Sequence, residues 1–261
     1  MALEVQRPQQ DTGRGVKAPQ GYYEVKLPGT SAPPLRLKTR PNVFVPTDTS
    51  VLLIEACRVL IKQPATTLDL GCGCGITGLA LAKLGLCSEP LYASDASASA
   101  VELTLENAKR LGIECVAKTG SLFDPWRGHT FDCIVDDISG ISEELAAISP
   151  WFPKDVPCGA GRDGTHWIVQ VLKEAAGYLN PTGVLIFPIL SLSAEQRVLK
   201  AASEHFPRVE MLVERQWSLP ESMSKNRPLT VKLMEEGTIT CVRKFGTYLW
   251  WTKIFAAWNN V

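Results

Sequence analysis

The sequence predicts an α/β fold built on a mostly parallel sheet with helices on both faces. A run of β-forming residues, 66–70, is followed by a glycine-rich loop and by a segment with helical apolar spacing, 76–84. Two more strand-like runs, 90–94 and 131–135, follow, and the first of them leads into another helical segment, 98–111. Strands alternating with helices of this length are typical of βαβ units.

The loop after the first strand reads Gly71-Cys72-Gly73-Cys74-Gly75, and Asp69 lies two positions before it. Glycines at alternate positions let the main chain turn sharply and leave room for a ligand against the backbone. The pattern is not the GxGxxG of dinucleotide sites, and it lacks the Lys-Ser/Thr of a P-loop. The next strand ends at Asp95, where an acid is placed to bind both ribose hydroxyls. Together these features predict an adenosine cofactor without a pyrophosphate.

Five stretches of the chain match motifs of a known family. They are 43–50, 68–75, 93–97 with 107–108, 131–135 and 161–183. In these stretches the sequence resembles the class I S-adenosylmethionine methyltransferases, most closely the branch of the HemK-type release-factor glutamine methyltransferases and their small-domain relatives. The resemblance implies a Rossmann-like, seven-stranded sheet and S-adenosyl-L-methionine as cofactor. By the same resemblance, the cofactor-binding residues are Phe44, Thr47, Asp69, Gly71, Gly73, Gly75, Asp95, Ala96, Ser121 and Leu122.

The acceptor motif of that branch is missing. HemK-like enzymes carry Asn-Pro-Pro-Tyr after the fourth strand, where it grips a planar nitrogen, whereas this chain reads Asp137-Ile138-Ser139-Gly140. Methylation of a glutamine amide or of a base, which relies on that clamp, is therefore in question. A carboxylate beside the methyl group can accept a hydrogen bond from an N–H or O–H acceptor. Asp137 is thus the candidate catalytic residue, and the alternative interpretation is that it caps the following loop.

Candidate substrate-binding residues follow in a loop-rich passage over 141–164. Such long connections are commonly functional, and Trp151 and Phe152 are aromatic candidates for a substrate-facing wall; whether the passage closes as a lid stays open. His166 is the one histidine near the predicted mouth of the site. It is interpreted either as a general base or as a surface or capping residue. Phe123 and Trp126 are either walls of the cofactor pocket or core residues.

Composition and charge narrow the function classes. The formal net charge is +0, which supplies no basic field for nucleic acid. No run is apolar enough for a membrane span, and the N-terminus lacks the pattern of a signal peptide. The eight cysteines are scattered, as buried residues of a reducing compartment would be, so we expect a cytoplasmic protein. Cys72 and Cys74 lack a second ligand pair, and no metal site is predicted.

The domain organisation is predicted as a polar tail and a small β-hairpin over 1–42, followed by a methyltransferase domain over 43–261. The hairpin is either a cover strand or a lid over the cofactor. A helix is predicted over 51–61, with Thr49 as a candidate cap. Antiparallel C-terminal strands are predicted over 209–213, 229–234 and 239–242, with a hairpin turn at 235–237. The aromatic stretch 248–258 is interpreted as a packed strand, a homodimer surface or a substrate wall.

The expected function is transfer of a methyl group to a nitrogen or oxygen of a small molecule. The lack of a sizeable N-terminal recognition domain favours a small molecule or a short protein segment as partner. Two alternatives stay open. One is a HemK-like protein side-chain N-methyltransferase, and the other is a non-catalytic module that binds S-adenosylmethionine and acts through protein contacts.

Overall fold

The computed structural model describes residues 21–138, 140–152, 158–244 and 246–260, so the predicted tail over 1–20 lies outside the described residues. The strands, in chain order, are β1 (Tyr22–Val25), β2 (Leu35–Lys38), β3 (Thr67–Leu70), β4 (Leu91–Asp95), β5 (Cys115–Thr119), β6 (Phe131–Asp136), β7 (Leu179–Leu190), β8 (Arg208–Ser218), β9 (Val242–Lys244) and β10 (Thr247–Trp258). The helices are α1 (Asp48–Leu60), α2 (Ile76–Lys83), α3 (Ala98–Leu111), α4 (Glu143–Ala146), α5 (His166–Glu174), α6 (Glu195–His205), α7 (Glu221–Lys225) and α8 (Arg227–Glu235). Further 3₁₀ turns cover Asp124–Trp126 and Ala175–Tyr178.

The central sheet has the strand order β5-β4-β3-β6-β7-β10-β8, and the short β9 pairs with β10 as its eighth strand. The pairs from β5 to β7 are parallel, whereas β10 runs antiparallel to both β7 and β8. The chain moves outward from β3 to β5 and then returns to β6 on the other side of β3. This reversal opens a crevice at the carboxyl ends of the strands. The predicted Rossmann-like fold, with an N-terminal hairpin and antiparallel C-terminal strands, is confirmed.

The ends of the helices that flank the crevice follow from local sequence. Ser97 caps α3, because its hydroxyl accepts a hydrogen bond of 3.4 Å from the amide of Ala100. The same helix ends at Gly112, whose φ of +65° is the left-handed conformation that glycine adopts without strain. Helix α2 begins directly after Gly75, which also has a positive φ, +84°. The glycine loop is thereby joined to α2 with no intervening residue.

The N-terminal hairpin forms its own two-stranded sheet, in which β1 and β2 pair antiparallel. Its apolar side chains Val25 and Leu37 are buried in the same core cluster as Leu53 of α1. The polar edge of the hairpin meets α3, where Lys38 forms an ion pair with Glu106. The hairpin therefore packs on the helical layer and does not extend the edge of the main sheet.

One predicted strand is wrong. Residues 229–234 lie in α8, and the predicted hairpin turn at 235–237 is the end of that helix. Pro228 stands in the first helical turn, where its missing amide hydrogen has no cost. Thr230 and Leu233, three positions apart, are both buried, which is a helical spacing. Of the predicted strand 239–242, only Val242 belongs to a strand.

Other boundaries differ by a few residues. Helix α1 begins at Asp48, three positions before its predicted start, so Thr49 is a buried helical residue and not a cap. Residues 180–183, whose Pro181 and Gly183 are typical of a turn, lie inside β7, where the pairing with β6 shifts register. The aromatic stretch 248–258 is β10, which lies between β7 and β8, in agreement with its interpretation as a packed strand.

No helix among the described residues combines the length and the apolar character needed to cross a bilayer.

Candidate functional site

A cavity of about 290 Å³ lies at the carboxyl edge of the sheet, where the strand order reverses. Its walls come from the segment before α1, from the loops after β3, β4 and β5, from the passage after β6, and from the adjoining ends of β7, β8 and β10. Because β10 is antiparallel, its first residues and the last residues of β8 reach this same edge. The volume is near the lower end of the range of about 300–1,000 Å³ for small-molecule sites.

Two glycines of the loop after β3 line the cavity for different physical reasons. A Cβ atom on Gly71 would lie 2.8 Å from the Cγ1 atom of Ile138, and its φ is +80°. A Cβ atom on Gly73 would have only the carbonyl oxygen of Phe44, at 3.9 Å, within 4 Å. Gly71 is therefore required by packing, whereas Gly73 leaves bare backbone facing open space, as a cradle for an adenosine cofactor requires.

Asp95 lies at the end of β4 and faces the cavity. Its carboxylate accepts hydrogen bonds from the amides of Gly73, at 3.0 Å, and Ser97, at 2.8 Å. Burial raises the pKa of Asp95, and the two amide bonds oppose that rise. The carboxylate is thus held beside the glycine loop, where the predicted contact with ribose hydroxyls is geometrically available.

Asp69 and Gly75, both predicted to bind cofactor, do not line the cavity. One oxygen of Asp69 accepts a hydrogen bond of 2.9 Å from the amide of Gly78, and its side chain is buried. Burial raises the pKa of Asp69 to about 7. Gly75 faces inward, because a Cβ atom there would lie 2.7 Å from Leu79. Both residues therefore face α2 and not the cavity, and they pack the glycine loop against the start of that helix.

The other predicted cofactor residues do line the cavity: Phe44, Thr47, Ala96, Ser121 and Leu122. Asn107 of α3 holds the segment before α1 beside the loop, an arrangement that the sequence did not reveal. Its side chain accepts from the amide of Lys38 at 2.8 Å and donates to the carbonyl oxygen of Cys74 at 2.9 Å. This one amide therefore ties the segment that leads to Phe44 to the loop that carries Gly73.

Asp137 follows β6 and contributes to the cavity wall next to the glycine loop. Its carboxylate accepts hydrogen bonds from the hydroxyl groups of Thr77, at 3.2 Å, and Ser50. Burial raises the pKa of Asp137, and these two bonds oppose the rise. The loop-capping role belongs to its neighbour Asp136, which accepts a bond of 3.1 Å from the amide of Ile138.

The side of the cavity beyond Asp137 is aromatic. Trp151 and Phe152, the predicted substrate-facing residues, both line this side. Three further tryptophans also line it: Trp167, Trp217 and Trp250. The ring centroids of Trp151 and Trp250 lie 5.4 Å apart, and those of Trp217 and Trp250 lie 6.4 Å apart. Trp167 and Trp217 were not expected at the site. Trp217 is the second-last residue of β8, a strand that ends at the carboxyl edge of the sheet. That position could have indicated its place in the site.

Three other predicted candidates lie away from the cavity. His166 is exposed at the start of α5, where its ring packs on that of Trp167 at 4.6 Å, and Trp167 lines the cavity in its place. Phe123 and Trp126 are fully buried core residues, and Phe123 stacks on Tyr178 at 4.5 Å. Residues 153–157 of the predicted substrate passage lie outside the described residues.

The charged part of the lining is acidic. It consists of Asp48, Asp95 and Asp137, with no Lys, Arg or His among the described lining residues. Such a lining fits a cofactor that carries a sulfonium charge. Within the described ranges, no group of three or more His, Cys, Asp or Glu side chains is arranged to hold a metal ion.

Comparison with known proteins agrees with this geometry. Residues 34–137 match the family described as "Methyltransferase small domain". The release factor glutamine methyltransferase of Geobacter sulfurreducens is 34% identical over 151 residues, which cover 56% of this chain and 52% of that protein. The ribosomal protein L11 methyltransferase of Thermotoga petrophila is 29% identical over 158 residues, 60% of this chain and 49% of that protein.

The fold is also shared with solved structures. The 16S rRNA N2 G1207 methyltransferase of T. thermophilus, solved with AdoMet and guanosine, superposes with a TM-score of 0.55 at 16% identity, over 91% of this chain and 50% of that chain. The chain spans about half the length of the curated relatives named above. Residues 34–137 are thus similar to the methyltransferase small domain, the curated relatives named above are methyltransferases, and the solved structure shares the fold.

Proposed function

We propose that the chain transfers a methyl group to a nitrogen of a protein side chain, which is the HemK-like alternative and not the small-molecule reaction expected first. The relatives support this choice, because the release factor and ribosomal protein L11 methyltransferases are named for protein acceptors. The observation that carries the proposal is the position of Asp137, between the glycine loop and the aromatic side of one cavity.

The cofactor is assigned to the half of the cavity formed by β3, β4 and β5. Asp95 accepts hydrogen bonds from the ribose hydroxyls, and the backbone at Gly71 and Gly73 lies against the cofactor. Ser121 and Leu122 follow β5 and border the adenine, while Ala96 follows Asp95 at the ribose. Phe44 and Thr47 lie at the methionine end. When bound, S-adenosylmethionine supplies an electrophilic methyl group on a sulfonium sulfur.

Asp137 orients the acceptor and receives its hydrogen bond or proton. The carboxylate is fixed by hydroxyl groups from two helices, Thr77 of α2 and Ser50 of α1. Methyl transfer is an in-line displacement, so a nucleophile held beside the methyl group gains most of its rate from alignment. A carboxylate with a raised pKa is also a stronger base than an exposed one, which suits removal of a proton from nitrogen.

A small-molecule acceptor remains the second candidate. It is favoured by the aromatic lining, in which Trp151 and Phe152 are joined by three further tryptophans. Aromatic walls of this kind suit a compact ligand as well as an inserted side chain.

Methyl-labelled S-adenosylmethionine tests the proposal. The protein is incubated separately with the polypeptide, nucleic-acid and small-molecule fractions of a cell extract. We expect label on polypeptides, and loss of that label with Asp137→Asn. Label confined to small molecules or nucleic acid would overturn the protein acceptor. Tight cofactor binding without label in any fraction would favour the non-catalytic module.

A further inference from the structure

We propose that the aromatic side of the cavity is a subsite for an aliphatic amine, as on a lysine side chain, and not for a planar side-chain amide. This inference rests on the proposed function and names the chemical group of its acceptor. The subsite is formed by Trp151, Trp217 and Trp250, called here the tryptophan wall, together with Asp137.

The tryptophan wall and the carboxylate are connected by direct contacts. The indole N–H of Trp217 donates to the hydroxyl of Thr252 at 3.3 Å. That hydroxyl lies 3.3 Å from the hydroxyl of Thr49, in the first turn of α1. The next residue, Ser50, donates to Asp137. These contacts, joined through the main chain of α1 between Thr49 and Ser50, place the wall and the carboxylate at the same end of the cavity.

The charge of the lining selects against anions. Asp48, Asp95 and Asp137 are its charged members, with no basic side chain among the lining residues that the structure describes. A carboxylate or phosphate on the acceptor would meet like charges there. Aromatic faces attract cations, because the ring quadrupole places negative potential over the face. A lining of carboxylates and tryptophans therefore favours an ammonium group.

The tryptophan wall offers an amide few free hydrogen-bond donors, because two of its three indole N–H groups are already engaged. The indole N–H groups of Trp217 and Trp250 are both engaged, the first by Thr252 and the second by the carbonyl oxygen of Ser218 at 3.3 Å. The nearby Trp167 likewise donates its N–H to the carbonyl oxygen of Gly159 at 2.7 Å. An amide carbonyl buried against these rings would lose the hydrogen bonds that it makes in water, which disfavours its binding. An alkylammonium has no acceptor atom to leave unsatisfied.

Asp137 is the proton acceptor that methylation of an amine requires. The amine arrives as an ammonium, and its carboxylate partner takes one proton, which frees the nitrogen lone pair. The lone pair forms the new N–C bond as the C–S bond breaks, the bonding electrons stay on sulfur, and the positive charge moves to the methylated nitrogen. The product is again a cation beside the aromatic faces. Burial, which raises the pKa of Asp137, makes proton acceptance easier.

The labelled product distinguishes the acceptor groups. Polypeptides labelled by the wild-type protein are hydrolysed in strong acid. A methylated amine survives as an N-methyl amino acid, whereas a methylated side-chain amide releases its label as methylamine. We expect acid-stable label. Release as methylamine would overturn the amine inference while leaving the protein acceptor intact. Polypeptides without label would refute the proposed function itself.

Binding supplies a readout independent of turnover. Calorimetry in the presence of S-adenosylhomocysteine compares Nα-acetyl-lysine methylamide with Nα-acetyl-glutamine methylamide. We expect saturable binding of the lysine compound alone. Trp151→Leu should weaken it roughly two- to thirtyfold, and Trp151→Phe, which keeps an aromatic face, should retain it. Equal or tighter binding of the glutamine compound, no binding of the lysine compound, or unchanged affinity in Trp151→Leu would each overturn the subsite.

Discussion

The hydroxyl group of Thr77 donates a hydrogen bond of 3.2 Å to a carboxylate oxygen of Asp137. Thr77 lies in the first turn of α2, directly after the glycine loop, whereas Asp137 follows β6. The bond therefore joins the element that begins at the cofactor loop to the carboxylate assigned to the acceptor. Any change in this bond alters the proton affinity of Asp137 without touching the aromatic side of the cavity.

Replacing Thr77 by valine should shift the acidic limb of the pH–rate profile. The hydroxyl stabilises the charged form of Asp137 and lowers its pKa relative to the effect of burial alone. Without it the pKa rises, so the carboxylate is protonated up to higher pH, and the limb in kcat/KM moves upward by roughly one pH unit. Thr77→Ser, which keeps the donor, is the control. An unshifted limb in the valine variant would show that Asp137 does not govern the rate.

Comparing Gly73→Ala with a matched variant should separate the effect of backbone strain on stability from the effect of a methyl group on cofactor binding. Gly73 has a φ of +54° and open space around its missing Cβ atom. The matched control is Gly112→Ala, at a φ of +65° with nothing within 4 Å, at the far end of α3. Both variants should lose about 1–2 kcal/mol of unfolding free energy.

Only Gly73→Ala should weaken cofactor binding, by roughly tenfold or more, because its methyl group occupies ligand space. Calorimetry with S-adenosylhomocysteine measures both affinities. Equal affinity in the two variants would place the cofactor elsewhere.

Removal of the Asp95 carboxylate should reduce cofactor affinity. The carboxylate is positioned by the amides of Gly73 and Ser97, and a hydrogen bond to a charged group contributes about 1.5–3 kcal/mol. Asp95→Ala should therefore weaken binding roughly ten- to hundredfold. Asp95→Asn, which retains one acceptor oxygen, should lose less. If the alanine variant binds the cofactor with wild-type affinity, Asp95 does not bind the ribose hydroxyls.

Asp136 should make the protein less stable as the pH rises. Burial raises its pKa from 3.8 to about 7, so the folded protein binds the proton more tightly than the unfolded chain. The contribution of this group to stability is then complete below pH 3.8 and is lost as the pH rises toward about 7. Asp136→Asn removes that titration. The difference in urea-unfolding free energy between variant and wild type should shift in favour of the variant from pH 5 to pH 8.

The exposed Asp124 offers a control, because Asp124→Asn should change stability little at either pH. A constant difference between Asp136→Asn and wild type across the pH range would contradict the buried, titrating carboxylate.

The cofactor half of the site could be predicted from the sequence because its residues are close in the chain. Gly71 and Gly73 follow β3 and Asp95 is the last residue of β4, and the carboxyl ends of such neighbouring parallel strands meet at one edge. The cofactor contact of Asp69 stays a prediction. In the structure its carboxylate accepts a hydrogen bond from the amide of Gly78 in α2, and the residue does not line the cavity.

The acceptor half could be predicted only in part, because it depends on distant pairings. Trp217 and Trp250 approach one another because β10 inserts antiparallel between β7 and β8 and pairs these two residues directly. Because Trp217 and Trp250 are 33 positions apart in the sequence, no local pattern indicates that they pair. Helix α8 was misread because the alternating Leu229, Val231 and Leu233 resemble a strand, while Pro228 and packing against the core favour a helix.

The most direct measurement is methyl transfer to the polypeptide fraction by wild type and by Asp137→Asn, with cofactor affinity measured in parallel. If Asp137 aligns and deprotonates the acceptor, labelling should fall roughly 100-fold or more in the variant, in line with loss of general-base catalysis, while cofactor affinity changes little. Equal labelling by the two proteins would contradict a role for Asp137 in the reaction, and absence of label with the wild type would contradict a protein acceptor.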